Sequence, residues 1–105
     1  MTQGTVRIEH ERMRQIIEER NLRDGDLGRA EVLAMAAACY AMAQEDREAG
    51  NDALPPHWPK GMAAKWWKPT PGDRIRELTK AGALLAAAID TLIREKAEAE
   101  DAARP

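Results

Sequence analysis

The sequence is poor in the large aromatic residues that usually fill a core and in the cysteines that form disulfides. Its 105 residues include no phenylalanine, one tyrosine, three tryptophans and one cysteine. Cys39 is the only cysteine in the sequence, so an internal disulfide is excluded. No run of about 18 apolar residues is present, which argues against a membrane span. The N-terminal residues lack the charged and then apolar pattern of a secretory signal, so we expect a reducing cytoplasm.

The chain also lacks the strong positive charge of proteins that bind long nucleic acids. Its formal net charge is −2, so we expect no long nucleic acid as a partner. The distribution is uneven, however, because six basic and only two acidic residues lie between Lys60 and Lys80. A basic island in an acidic chain indicates a local site for a small anion.

Alanine and helical periodicity dominate what is present. The chain contains 20 alanines, and apolar residues recur at intervals of three and four residues in three segments. We predict a single all-α domain with helices at about 6–21, 27–48 and 73–99, a loop at 49–72 and a frayed tail at 100–105.

Small side chains set the expected packing of these helices. Asp73 is the predicted N-cap of the third helix. Gly82, in the interior of that helix, is expected to allow close packing against the alanines of the second helix. An alanine-rich core buries little apolar area per residue, so we expect partner subunits to contribute and predict a homo-oligomer.

The loop between helices two and three has a different composition from the rest of the chain. It contains five of the six prolines and all three tryptophans. The prolines argue against continuous regular structure, whereas the tryptophans argue for order, because disordered segments are poor in aromatic residues. A short helical turn is expected between Gly61 and Trp67.

This loop and the start of helix three contain the candidate ligand-binding residues. Tryptophan faces stack on bases and basic side chains neutralise phosphates, which is the combination that a nucleotide requires. The predicted site comprises Trp58, Lys65, Trp66, Trp67, Lys68, Arg74, Arg76 and Lys80. In the alternative interpretation, Trp66 or Trp67 anchors the loop in the core. Because adjacent side chains do not easily both face inward, one of this pair is expected to be available to a ligand.

Other kinds of chemistry have little support in the sequence. His10 and His57 are far apart, and Cys39 lies in an apolar helix, so neither a zinc set nor a cysteine and histidine nucleophile pair is indicated. Cys39 is expected to be a small buried residue. No glycine-rich phosphate loop is present. We therefore predict no metal site, no cofactor and no catalytic residue.

Two stretches of the chain resemble a family of small phage and prophage proteins. The first is Trp67-Lys68-Pro69 followed by Arg76 and then Lys80-Ala81-Gly82-Ala83-Leu84, and the second is Ala36-Ala37-Ala38-Cys39-Tyr40-Ala41. The similarity covers about residues 7–94. Members of this family are grouped loosely with MazG-like nucleotide pyrophosphohydrolases, which hold magnesium with carboxylates on facing helices.

The resemblance implies nucleotide chemistry, yet this chain departs from the family pattern at its acidic positions. Ala88 and Val32 stand where relatives have glutamate, and Glu31 and Asp90 alone make a poor metal site. The resemblance therefore implies a phage-encoded, non-enzymatic binding protein in the cytoplasm of an infected bacterium. It would sequester a small phosphorylated nucleotide, such as an immune signal of the cyclic oligonucleotide or ADP-ribose type. The alternatives are a MazG-like diphosphohydrolase that uses Glu31 and Asp90, and a protein-binding inhibitor of a host factor.

Overall fold

The fold is all-α, as the sequence predicts. A computed structural model describes residues 1–18, 29–47 and 54–104, and these ranges contain no strand. Their helices are α1 (Gln3–Glu18), α2 (Ala30–Ala41) and α3 (Arg74–Ala102), with 3-10 turns at Gln44–Asp46 and Ala64–Trp66. The second 3-10 turn confirms the predicted helical turn in the loop. None of the helices in the described ranges is both long enough and apolar enough to cross a membrane.

Helix α1 begins three residues before the predicted start. The hydroxyl of Thr2 accepts a hydrogen bond from the backbone N–H of Thr5 at 3.3 Å, which caps the first turn. The helix therefore starts at Gln3 instead of residue 6. The predicted end at residues 19–21 lies outside the described residues.

Helix α2 is shorter than the predicted 27–48. It ends at Ala41, because Met42 and Ala43 have extended backbone with ψ of 137° and 141°. Arginine side chains satisfy the last carbonyls: Arg47 Nη2 and Arg74 Nη1 donate to Tyr40 O at 3.2 and 2.9 Å. These tertiary hydrogen bonds substitute for another helical turn. Residues 27, 28 and 48 lie outside the described ranges, as does the 49–53 part of the predicted loop.

Helix α3 begins where the sequence predicts and continues further. The Asp73 carboxylate accepts from the Arg76 N–H at 3.0 Å, which confirms the predicted N-cap. The helix runs to Ala102, three residues past the expected 99, and Ala103 N still donates to Ala99 O at 3.1 Å. The expected fraying from residue 100 is therefore not seen up to Ala102, because alanine and glutamate are strong helix formers.

The core lies between α2, α3 and the tryptophan-rich loop, and most of its helical residues are alanine. Leu33 and Leu84 are its large aliphatic residues in the helices, and Cys39 is buried there as expected, at 2% exposure. In the described ranges the buried alanines are Ala30, Ala36, Ala37, Ala81, Ala83, Ala87 and Ala88. Because each alanine contributes little area, the aromatic residues of the loop supply a large share of the buried apolar surface.

Gly82 allows close packing, but not with α2 as predicted. It contacts α1: a Cβ built on Gly82 would lie 2.5 Å from Ile8 Cδ1. The glycine therefore leaves room for the Ile8 side chain where α1 crosses α3, and an alanine would force that side chain to move. The face of α3 towards α2 is occupied instead by alanines and Leu84.

The most hydrophobic face of α3 points away from the core. Its large aliphatic side chains are 46% to 63% exposed, whereas the buried face of the same helix contains alanine, Glu77, Lys80 and Thr91. The exposed side chains are Ile75, Leu78, Leu85, Ile89, Leu92 and Ile93. The periodicity that predicts the helix thus marks its outer face.

Candidate functional site

The loop after α2 is organised around Tyr40. The Tyr40 hydroxyl donates to Trp66 O at 2.8 Å and accepts from Lys68 N at 2.7 Å. The rings of Trp67 and Trp58 lie 4.7 and 6.1 Å from the Tyr40 ring. Trp58 and Trp67 are only 7% and 8% exposed. Their faces belong to the core in this structure and are not open to a stacking base.

Trp66 is the accessible member of the adjacent tryptophan pair. Its side chain is partly exposed at the edge of the core. The ammonium groups of Lys65 and Lys68 lie 5.2 and 5.3 Å from the centre of its ring, within the range of cation–π attraction. This arrangement joins an aromatic face to two positive charges, as the nucleotide interpretation requires.

Arg74 has a structural role at the junction of α2 and α3. Besides Tyr40 O, it donates to Ala41 O and to Glu77 Oε1, the latter at 3.2 Å. Glu77 is completely buried and also accepts from Arg47 Nη1 at 3.0 Å and from Gln44 Nε2 at 2.7 Å. Of the predicted phosphate ligands, Arg74 is therefore engaged in holding the fold together.

The ionisation of Glu77 follows from these donors. Burial opposes its negative charge, but the hydrogen bonds from Arg47, Gln44 and the Thr70 backbone outweigh burial and lower its pKa to about 2. The Thr70 N–H lies 3.1 Å from Glu77 Oε2. One carboxylate thus connects α3, the segment after α2 and the end of the loop.

Arg76 and Lys80 lie where α1 crosses the start of α3. Arg76 Nη1 donates to Glu11 Oε1 at 2.7 Å. Lys80 is buried, donates to Lys68 O, and lies 5.7 Å from the centre of the Tyr40 ring. Burial, together with the nearby Arg76, lowers the pKa of Lys80. Hydrogen bonds from Arg14 and Arg76 outweigh the burial of Glu11 and lower the pKa of that carboxyl group.

A groove of about 490 Å³ opens between α1 and the first turns of α3. We call it the arginine groove, and its volume lies within the range of small-molecule sites. The residues that line it are Arg7, His10, Glu11, Arg14, Asp73, Ile75, Arg76 and Thr79. Arg7 and His10 are exposed, and Arg7 has no ion-pair partner within the described part of the chain. Its guanidinium is therefore available to an anion.

A second, smaller depression adjoins the groove beside Trp66. This Trp66 pocket holds about 30 Å³, which is space for one small group. Gln15 lines it and is 4% exposed, and Gln15 Oε1 has no hydrogen-bond partner in the structure as described. Glu11 and Arg14 line both the pocket and the groove, so the two form one continuous surface.

The structure therefore divides the eight predicted site residues into two sets. Lys65, Trp66, Lys68, Arg76 and Lys80 lie at or beside the continuous surface. Trp58, Trp67 and Arg74 serve the core and the end of α2.

Sequence reasoning missed the contribution of α1 to this surface. We assigned no chemistry to that helix, yet it supplies Arg7, His10 and Arg14. Their spacing of three and four residues places them on one helical face, and this periodic basic pattern was the available signal. Only the tertiary crossing brings that face beside Arg76.

The carboxylates considered for a metal site do not gather in this structure. Glu31 is exposed on α2, and Asp90 pairs with Arg12 of α1 at 3.3 Å. Across residues 1–18, 29–47 and 54–104, no group of three or more histidine, cysteine, aspartate or glutamate side chains could hold a metal ion.

Comparison with known proteins adds no relative. No protein-family model, curated protein or solved structure matches the chain. The geometry of the groove and pocket is therefore the basis for a functional proposal.

Proposed function

We propose that this chain is a non-enzymatic binding protein that sequesters a small phosphorylated nucleotide. The observation that carries the proposal is the continuous surface formed by the arginine groove and the Trp66 pocket. It combines five lysine and arginine side chains with two carboxylates and one accessible aromatic ring, and Lys65 lies over that ring. Such a surface favours a ligand that has both a flat ring and negative charge.

The two parts of the surface suggest different roles in binding. Phosphates would lie in the groove beside the exposed Arg7, which would donate charge-assisted hydrogen bonds. Arg14 and Arg76 pair with Glu11 there and would add positive charge with the donor groups that this pairing leaves over. The base would stack on Trp66, displacing one of the lysines that now lie over its ring. The unpaired Gln15 Oε1 would accept from an N–H group of the base that enters the pocket.

The resemblance to small phage proteins supports a biological role for this binding. In that role the protein is phage-encoded, forms a homo-oligomer in the cytoplasm of the infected bacterium, and withholds an immune signal from its receptor. Cyclic oligonucleotides and ADP-ribose derivatives have the required combination of bases and phosphates. Sequestration requires no metal-binding carboxylates at the site, whereas hydrolysis of the MazG type does.

The proposal is tested by isothermal titration of cyclic dinucleotides, cyclic trinucleotides, ADP-ribose derivatives and magnesium nucleoside triphosphates. We expect one signalling nucleotide to bind and to be recovered intact by chromatography. Trp66→Ala should weaken its binding about 5- to 150-fold, the equivalent of a lost base stack of about 1–3 kcal/mol. Arg7→Ala should weaken it as well, through the loss of a phosphate contact.

Matched controls separate a site effect from general charge loss. Lys60 is an exposed lysine of the same loop that does not line the groove or pocket, so Lys60→Ala should leave affinity unchanged. Recovery of cleaved ligand would replace sequestration with hydrolysis. Absence of binding by every nucleotide class would refute the proposal and direct attention to a protein partner.

A further inference from the structure

The Trp66 pocket contains a buried hydrogen-bond acceptor that the fold does not use. Gln15 lines this pocket and is 4% exposed, and its Oε1 atom has no hydrogen-bond partner in the part of the chain that the structure describes. Buried polar atoms of side chains nearly always have a partner in proteins, because leaving one unpaired destabilises the fold. The Gln15 oxygen therefore marks a place where a ligand can supply a hydrogen-bond donor.

Glu11 determines which end of the Gln15 amide faces the pocket. Gln15 Nε2 donates to Glu11 Oε2 at 3.4 Å. Although burial opposes the charge of Glu11, hydrogen bonds from Arg14 and Arg76 lower its pKa, so the carboxylate is ionised and can only accept. Rotating the amide by half a turn would bring Oε1 against a carboxylate oxygen. The amide nitrogen therefore stays with Glu11, and Gln15 presents its acceptor to the pocket.

The size of the pocket limits which part of a base can reach this acceptor. The pocket holds about 30 Å³, which is enough for one small group. An amino group or a single oxygen atom fits this space, whereas the ring of a base does not. A base that stacks on Trp66 would therefore place only a substituent of its ring in the pocket. The N–H groups within the ring would remain outside.

Lys80 supplies a donor beside the acceptor. It lines the same pocket, and its ammonium group has three N–H donors, one of which binds Lys68 O. In adenine and cytosine, a ring nitrogen that accepts hydrogen bonds lies next to the exocyclic amino group. Such an edge can donate to Gln15 and accept from Lys80 at the same time.

A base with a carbonyl oxygen in place of the amino group satisfies only half of this arrangement. Hypoxanthine differs from adenine, and uracil from cytosine, by this exchange. The carbonyl oxygen could accept from Lys80, but it would leave Gln15 Oε1 unpaired and would place a second partial negative charge beside it. The pocket therefore distinguishes an amino group from a carbonyl oxygen.

We infer that the Trp66 pocket selects nucleotides whose base carries an exocyclic amino group, with Gln15 as the residue that determines this specificity. The inference rests on the proposed function, because it names the class of base that the nucleotide-binding surface accepts. A site built around a hydrogen bond discriminates strongly against a ligand that leaves the polar group of the site unpaired.

Isothermal titration of the intact protein with matched pairs of ligands tests the selection. The pairs are cyclic dinucleotides of adenine and hypoxanthine, cyclic dinucleotides of cytosine and uracil, and ADP-ribose with its hypoxanthine counterpart. Within each pair the phosphates and sugars are the same, and an amino group is exchanged for oxygen. The amino member of the pair that binds should do so about 10-fold or more tightly, because the carbonyl member leaves a buried acceptor unpaired.

Gln15→Met separates base selection from an effect on folding. Methionine has a similar length but no amide oxygen, so this variant should bind both members of a pair with equal affinity. Its affinity for the carbonyl member should be at least that of the wild type, whereas a misfolded variant would bind both members more weakly. Gln3→Met is the matched control. Gln3 is an exposed glutamine of the same helix that lines neither the arginine groove nor the Trp66 pocket, so the preference should be unchanged.

The possible results distinguish this inference from the proposed function. Equal binding of both members of each pair by the wild type would overturn the selection and leave nucleotide binding in place. A preference for the amino member that persists in Gln15→Met would also overturn it, and so would a preference for the carbonyl member, which would assign recognition to Lys80. Absence of binding by every pair would refute the proposed function itself, and the selection with it.

Discussion

Acidification should remove most of the stabilisation that Glu77 contributes. In the folded protein this carboxylate stays ionised at pH values where the same group is protonated in the unfolded chain. Its pKa falls from an ordinary 4.5 to about 2. At 1.36 kcal/mol per pKa unit, the ionised form contributes about 3 kcal/mol to the free energy of unfolding. A lowered pKa gives stabilisation that is complete above pH 4.5 and is lost as the pH falls towards 2. By pH 3, about 2 kcal/mol should be lost.

Urea denaturation followed by far-ultraviolet circular dichroism, at a series of pH values from 7 to 2.5, measures this effect. Glu77→Gln should lower the free energy of unfolding at pH 7 by about 3–5 kcal/mol, because it leaves the buried Arg47 without its counter-charge. Arg47 and Glu77 side chains are 1% and 0% exposed, so solvent does not screen the pair. The variant should also show a weaker fall in stability between pH 4.5 and 2.5.

The surface ion pair of Glu18 serves as the control. Its carboxylate pairs with Arg14 at 3.1 Å and is 62% exposed, so Glu18→Gln should change stability by no more than about 0.5 kcal/mol. Glu11, whose pKa is also lowered, should leave some acid sensitivity in Glu77→Gln. If the wild type and Glu77→Gln lose stability in parallel as the pH falls, the assignment of this effect to Glu77 is wrong.

Two further substitutions test close contacts of the fold. Gly82→Ala should destabilise the protein by up to about 2 kcal/mol in urea denaturation. The added Cβ would lie 2.5 Å from Ile8 Cδ1, and displacing Ile8 should cost about 1–3 kcal/mol, from which about 1 kcal/mol of helix propensity is recovered. Gly4→Ala, where the Cβ meets only Thr2 Oγ1 at 3.9 Å, should not destabilise, and equal losses at both glycines would refute the packing argument. Tyr40→Phe should cost about 1–3 kcal/mol, since the backbone N–H of Lys68 loses its acceptor. An unchanged denaturation midpoint would contradict that role.

The sequence predicts elements of this fold where the determinants are local. The Asp73 cap and the apolar periodicity of α3 can be predicted, because a cap or a helical face depends on residues within a few turns. The end of α2 cannot be predicted from the residues around it, because a hydrogen-bond donor to its last carbonyls is Arg74, which lies 33 residues after Ala41. The inward face of α3 was equally hidden, because alanines and the buried Glu77 occupy it while the larger aliphatic residues lie outside.

The candidate site shows the same division between local and tertiary determinants. Because Trp66 and Trp67 are adjacent, the sequence predicts that only one of them faces inward. Tyr40 determines that this is Trp67, since its hydroxyl binds the backbone on both sides of that residue. Likewise, the basic spacing on α1 is visible in the sequence. Its position beside Arg76 depends on the crossing of α1 and α3, where Gly82 leaves room for Ile8.

The alanine core determines which mutations this fold can tolerate. In most proteins the harmful core changes are truncations that leave cavities, but the seven buried alanines among the described residues offer almost no volume to remove. At these positions substitution by a larger side chain is what destabilises the fold. Even a valine at Ala83 or Ala87, both fully buried, would push the helices apart. Substitutions at the buried positions of the helices are therefore limited by side-chain volume. Truncation is destabilising at the few large core side chains, chiefly the aromatic residues.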